Sequence, residues 1–184
     1  MNLLASPGQL RASFMRWALV CVPAAVLLGF LSGTTVQSGP ENPWFAALVK
    51  PAAYPPAQSF AVVWTVLYVL MGLALAIVLS ARGARGRGPA VIAFAVQFAL
   101  NLAWSPVFFG AHLLTGGLIV IALLDVAALA TTVLFWNVRQ VAALLLVPYV
   151  LWLLFATYLN FALLQANPAM DGAEGNGAVV RYTI

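Results

Sequence analysis

Gln97-Phe98-Ala99-Leu100-Asn101-Leu102-Ala103-Trp104-Ser105-Pro106-Val107-Phe108-Phe109-Gly110 lies inside an uncharged apolar run from Gly88 to Leu124. Hydrocarbon offers no hydrogen-bond partner to amides or an indole, so these groups are expected to bond within the protein. Gln97, Asn101 and Ser105 recur every four residues, with Trp104 and Phe108 beside them, which puts all five on one helix face. Ala95, Ala99 and Ala103 repeat at the same spacing but offset by two residues, and two residues turn a helix by about 200°. One face therefore suits a polar and aromatic interior. The other suits close approach of a second helix and predicts a homodimer seam through Ala95, Ala99 and Ala103.

The rest of the chain has the same character. Of 184 residues 64% are hydrophobic and 7% charged, against about a quarter charged in a soluble domain. This is the composition of an all-α integral membrane protein lying in the bilayer, with loops too short for a second soluble domain. Lone Cys21 excludes an internal disulfide and any cysteine metal cluster. The formal charge of +4 comes from basic residues scattered at the ends of apolar runs, where they set topology and touch headgroups. Nucleic acid is not an expected partner.

Five spans are expected. Residues 1–16 form a short, polar, mobile segment. The first apolar run, Trp17–Leu31, follows Arg11 and Arg16 and also fits a signal peptide. Pro23, Gly29 and a weak cleavage pattern favour a retained span. Thr34–Gln58 is a Pro- and Gly-rich loop, and four prolines from Pro43 to Pro56 rule out a regular helix there and stiffen the backbone. It reads equally well as an interfacial linker with Trp44 and Tyr54 as belt aromatics, or as a lid over one end of a bundle. The second span is Phe60–Leu79, the third Ala90–Phe109, the fourth Leu113–Phe135 and the fifth Val141–Leu164. A break at Gly110-Ala111-His112 is extended by Gly116-Gly117. The five-helix domain is thus residues 17–166, and 167–184 is a polar, disordered C-terminal tail. Arg11, Arg16, Arg82, Arg85, Arg87 and Arg139 fall on one side, Lys50 and Arg181 on the other. Six against two predicts the N-terminus in the cytoplasm and the Pro-rich loop outside, and a bacterial inner membrane is the expected location.

Few residues could carry chemistry. Asp125 is the only acid between Glu41 and Asp171 and sits mid-span. It is expected to be neutral, or bonded to interior Asn, Gln, Trp or Tyr groups as a structural link between helices. His112, the only histidine, is expected to serve as a hydrogen-bonded cap at the membrane edge. No nucleophile with its base, carboxylate pair, phosphate loop or metal cluster is present, so no catalytic residue, metal ligand or required cofactor is assigned. What remains is Trp64 and Tyr68 on the second span, Gln97, Asn101 and Trp104 on the third, and Trp152, Ala156 and Asn160 on the fifth. Converging, these stripes would line an apolar pocket with a few oriented polar groups, suited to a flat hydrophobic ligand. Trp136, near a span end, reads as a belt residue.

At these residues the sequence resembles the tryptophan-rich sensory protein family, also called the translocator protein or peripheral benzodiazepine receptor family. The carrying segments are Trp44 through Lys50-Pro51, Pro55-Pro56, Val63 to Gly72, Gln97 with Leu100-Asn101, Trp104 to Gly110, Pro148 to Trp152, and Phe155 to Asn160. The resemblance implies a bundle of five transmembrane helices, commonly dimeric, whose cavity is closed by the loop after the first span. It implies porphyrins and haem, drug-like isoquinolines and benzodiazepines, or cholesterol in animal members, as ligands. Carried over, the pocket uses Trp64, Asn101, Trp104, Trp152, Ala156, Leu159 and Asn160, and the helix-face reading adds Tyr68 and Gln97. Two loop positions where the family usually has Trp are Ala53 and Gln58 here. Leu159 to Gln165 also lacks the aromatic and basic residues of the animal cholesterol motif.

The expected function is a receptor or sensor that binds a tetrapyrrole, with Lys50 pairing with a propionate at the pocket mouth. Light-dependent porphyrin breakdown, attributed in some bacterial members to pocket tryptophans, and tetrapyrrole transport are the alternatives. The missing loop tryptophans count against the first. The lack of an inverted repeat or a coupling-ion site counts against active transport.

Overall fold

The computed structural model describes residues 7–173. In order along the chain they form α1 (Pro7–Thr34), α2 (Pro43–Ala47), α3 (Ala57–Ser80), α4 (Arg87–Ser105), a π-helical turn (Pro106–Gly110), α5 (Leu114–Val138), α6 (Gln140–Ala166) and a 3-10 turn (Pro168–Met170). By length and composition five helices can cross a bilayer: α1, α3, α4 with its π turn, α5 and α6. They pack as a ring in the order α1, α3, α6, α5, α4, and α4 also touches α1 and α3.

The ring is apolar outside, and the amides of its spans are turned inward into a mainly apolar core. Leu27, Val62, Ile92, Val126 and Leu151, one from each span, are 63–68% exposed. Gln97, Asn101 and Asn160 are 1%, 6% and 2% exposed. Lipid tails accept apolar side chains, whereas amides must turn inward to find partners. On α4 the expected division of faces is visible: Phe94, Gln97 and Asn101 are buried, Ala95 and Ala99 are exposed, and Ala103 is half-buried.

Small residues set how closely the ring closes. A Cβ on Gly72 would stand 2.6 Å from the Cα of Val22, so α1 and α3 meet there backbone to backbone. One turn back along α3, the Tyr68 ring lies where a side chain on Gly29 of α1 would be, 2.2 Å from that ideal Cβ. Substituting either glycine would push α1 away from α3.

Several boundaries differ from expectation for local reasons. Helix α1 begins at Pro7, so residues 7–16 are helical, while residues 1–6 lie outside the described part. Hydropathy marks where a helix enters hydrocarbon, not where its hydrogen bonds begin. The proline-rich loop does contain a short helix. Pro43 is its first residue, where a missing N–H costs nothing, and the Asn42 side chain accepts from the Phe45 N–H at 3.1 Å. Gly116 and Gly117 do not extend the break but belong to the first turn of α5. A Cβ on Gly117 would lie 2.8 Å from Phe108 and 2.9 Å from Asn160 Oδ1, so this glycine admits close packing. Nor is the segment after α6 loose through residue 173: its 3-10 turn folds back onto the end of the bundle, and residues 174–184 lie outside the described part.

Pro106 shapes the end of α4. It has no N–H to offer the Leu102 carbonyl, and the Ser32 hydroxyl of α1 donates to that carbonyl at 2.6 Å instead. The chain then widens into a π turn, with the Ala111 N–H bonded to the Pro106 carbonyl at 2.9 Å. His112 closes the break at φ +58°. This turn carries Phe108 and Phe109 into the end of the ring, where both are buried.

Candidate functional site

Two polar clusters occupy the inward face of α4, about a turn apart. In the first, the Tyr68 hydroxyl of α3 donates to Asn101 Oδ1 at 3.2 Å. Asn101 Nδ2 donates to the Tyr149 hydroxyl of α6 at 3.3 Å, and that hydroxyl donates to Gln97 Oε1 at 2.8 Å. Gln97 Nε2 faces the Met71 sulfur at 4.0 Å. Every donor points the same way along this chain, which joins three helices. Trp64 stacks on Tyr68, ring centroids 5.4 Å apart.

In the second cluster, Trp104 Nε1 donates to Asn160 Oδ1 at 3.3 Å, and Asn160 Nδ2 donates to the Leu114 carbonyl at 2.9 Å. The Leu114 carbonyl stands at the start of α5, so α4, α5 and α6 are tied together at one point. Trp104 stacks on Phe108 at 4.7 Å, and Phe108 meets Phe109 edge-on at 4.9 Å. Leu159 is buried beside Asn160, and Ala156, one turn below, is half-buried.

The loop after α1 roofs this second cluster. Trp44, Phe45 and Leu48 are each under 5% exposed and form one apolar cluster with Phe108, Phe109, Leu114 and Leu163, against which Trp104 packs. The loop therefore has the geometry of a lid, and Trp44 is not a belt residue. Its ring stacks on His112 at 4.9 Å and meets Phe108 edge-on at 5.5 Å. Asn42 Nδ2 donates to the Phe109 carbonyl at 3.2 Å. Tyr54 packs between Phe60 and Phe45, and burial pushes its hydroxyl up to about 12.

Lys50 is engaged within the lid. Its ammonium donates to the carbonyls of Phe45, Ala46 and Leu48 and lies 4.5 Å from the Phe45 ring centre. It closes the C-terminal end of α2, and partial desolvation lowers its pKa from the usual lysine value. A lysine so used is not free to meet a propionate, so that expected role is set aside.

Trp152 stands apart from both polar clusters. Its ring meets Phe60 edge-on at 5.7 Å and Phe155 at 5.5 Å. With Val62, Val66, Leu67, Leu151 and Phe155 it lines a groove of about 490 Å3 between α3 and α6, walled by apolar side chains. Its Nε1 is buried without an acceptor among the described residues. Asp125 does link two helices, but through Thr157, whose hydroxyl donates to Oδ2 at 2.7 Å, and not through an amide or ring. His112 meets the lid through its ring, and its backbone carbonyl accepts from the Gly172 N–H at 2.9 Å. Trp136 is exposed near the end of α5, as a belt residue would be.

The residue missed in the sequence is Tyr149, 1% exposed and bonded to both amides of the first cluster. The stripe Asn160, Ala156, Trp152 carried back three residues reaches it, so a signal existed. Tyr149→Phe keeps the ring and removes the hydroxyl. Asn101 and Gln97 then each lose a buried partner, and unfolding in detergent should be easier by about 1–3 kcal/mol. Van der Waals packing is unchanged in that variant, so an unaltered thermal midpoint would show that the hydroxyl bonds contribute nothing.

Comparison with known proteins identifies the family. Residues 19–165 match the model of the TspO/MBR family. The chain is 41% identical to "Tryptophan-rich protein TspO" of Chlorobaculum tepidum over 150 residues, covering 81% of this chain and 94% of that protein. It is 42% identical to "Protein CrtK" of Rhodobacter capsulatus over 138 residues, 74% of this chain and 86% of that one. It is 37% identical to the human "Translocator protein" over 150 residues, 80% of this chain and 88% of that one. With five apolar spans, a matching family model and relatives covered almost end to end, the chain belongs to the TspO/MBR family of multi-pass membrane proteins.

Proposed function

We propose that this protein is a membrane receptor or sensor that takes a porphyrin such as protoporphyrin IX or haem, or a similar flat hydrophobic molecule, into the lidded end of its bundle. The observation that carries this reading is the indole of Trp104 held by Asn160 directly beneath a roof of packed aromatic rings. Stacking surfaces recognise a flat ring system, and fixed amides orient its polar groups. Asn101 and Gln97, preset by Tyr68 and Tyr149, extend the polar lining one turn deeper. Trp152 adds a further aromatic ring from the α3–α6 groove. A relative from Cereibacter sphaeroides, 37% identical, is itself named "Tryptophan-rich sensory protein".

Titrating protoporphyrin into the purified protein in the dark should quench tryptophan fluorescence. Trp104→Leu and Asn160→Leu should each weaken binding by about ten-fold, the worth of one stacking contact or oriented buried hydrogen bond. Unchanged affinity across both variants and Trp64→Leu and Trp152→Leu would remove the site. Loss of the porphyrin band on illumination, with a new product band, would make the protein an enzyme instead.

The same reading has the lid outside a bacterial inner membrane and the arginine-bearing turns in the cytoplasm. The α3–α4 and α5–α6 turns share one end of the bundle, with Gly86 close to Val138, which supports counting their arginines together. In intact cells a membrane-impermeant thiol reagent should leave Arg85→Cys unlabelled, and labelling would invert the topology. A second copy fits the exposed Ala95–Ala99 face of α4. Ala99→Trp should then shift the purified protein toward monomer, whereas a persisting dimer would place the seam elsewhere.

A further inference from the structure

The segment after α6 is bonded to the lid on one side and to the start of α5 on the other. Asn167 is 6% exposed. Its Oδ1 accepts from the Val49 N–H at 2.8 Å, and its Nδ2 donates to the Val49 carbonyl at 2.9 Å and to the Leu163 carbonyl at 2.9 Å. This is a two-point pairing of one side-chain amide with one residue's backbone, as a neighbouring strand would make. The Val49 side chain itself is 64% exposed, so the contact reads the path of the loop and not its side chain. Three residues on, the Met170 carbonyl accepts from Trp44 Nε1 at 3.0 Å.

The other side is equally tied. Leu113 supplies no side-chain cap to α5. Asp171 supplies one from a distance: its Oδ1 accepts from the Thr115 N–H at 3.0 Å, and the Thr115 hydroxyl donates to its Oδ2. A carboxylate at a helix N-terminus satisfies an orphan N–H and suits the helix dipole. Gly172, at φ +75°, lets the chain turn so that its N–H reaches the His112 carbonyl at 2.9 Å. Helix α2 has five residues, too few to hold its shape alone, so its closed position depends on contacts made by other parts of the chain.

We propose that Asn167–Gly172 is a strap that latches the lid, and that Asn167 is the positioning residue that sets how often the lid opens to admit ligand. Opening breaks both hydrogen bonds between the Val49 backbone and the buried Asn167 amide. Removing that amide raises the population of the open lid without touching Trp104, Asn160 or Asn101. The strap closes the lid whether or not a ligand is beneath it. Its loss therefore speeds entry and exit alike and leaves affinity nearly unchanged. The entry-and-exit part rests on the proposed function; the latch itself does not.

The test uses the full chain in lipid nanodiscs, with Asn167→Ala, Asn167→Asp and Trp44→Phe. Amide hydrogen exchange over residues 42–50 reads the lid, and stopped-flow quenching by protoporphyrin reads entry and exit. Asn167→Ala should speed lid exchange by about ten-fold or more, as expected for losing buried hydrogen bonds, with exchange in α3 to α6 unchanged. Asn167→Asp keeps the size but sets an oxygen against two carbonyls, so it should open the lid at least as much. Trp44→Phe loses the Met170 bond and part of the indole's packing on His112 and Phe108, and should open the lid in the same direction. Association and dissociation rates in Asn167→Ala should rise by similar factors, with Kd within about three-fold of the parent. Lid exchange matching the parent, or faster exchange spread through every span, overturns the latch. Faster lid exchange with unchanged ligand rates overturns the control of entry. A parent protein that binds no protoporphyrin sinks the proposed function, while the exchange result still decides the latch.

Discussion

An amide inside a bilayer can satisfy its N–H groups and carbonyl only with other protein groups, and that requirement arranges the interior of this bundle. Gln97, Asn101 and Asn160 each lie on the inward face of a span, and each bonds to a different helix from its own. The bonds are directional, so they fix rotation as well as proximity. Apolar contacts between helices do not, because lipid tails compete for them on nearly equal terms. Asn101, bonded to Tyr68 on one side and Tyr149 on the other, sets how α3, α4 and α6 face one another.

Glycine makes that arrangement sterically possible. Gly29 leaves the hollow in α1 that the Tyr68 ring fills, and Gly117 leaves the one into which Phe108 and Asn160 pack. Each hollow lies beside a residue of a polar cluster. The close approach of helices and the placement of polar groups are thus one feature viewed from two sides. Met71, with no exposure, fills the remaining space beside Gln97 with a polarisable sulfur that tolerates an amide as neighbour.

What could be read from the sequence was whatever repeats along a helix. The five spans and the two faces of α4 follow from periodicity, and Gln97 and Asn101 prove buried while Ala95 and Ala99 do not. The lid helix was legible in principle, since Asn42-Pro43 is a cap followed by a favoured first residue, but a count of prolines obscured it. Tyr149 was passed over because it follows Pro148 in a run of aliphatic residues and has no polar neighbour in sequence. The strap left no local trace. Asn167, Asp171 and Gly172 have the composition of a disordered end, and only partners far away in sequence, Val49, Thr115 and His112, give them a fixed place.

Besides its apolar cluster, the lid is held by side chains that bond to backbone. Asn42 holds the Phe109 carbonyl, Trp44 the Met170 carbonyl and Asn167 both polar groups of Val49, while Lys50 ties the lid to itself. None of these anchors lies between Pro51 and Gln58. Ala53 and Gln58, where the family resemblance leads one to expect tryptophan, are exposed. Their identity can therefore change without loosening the closed lid. What such a change alters is the aromatic surface the loop offers to a ligand or to the membrane interface. Closure and ligand chemistry are thus carried by different parts of the same loop, so this chain can keep its roof while departing from the family pattern at both positions.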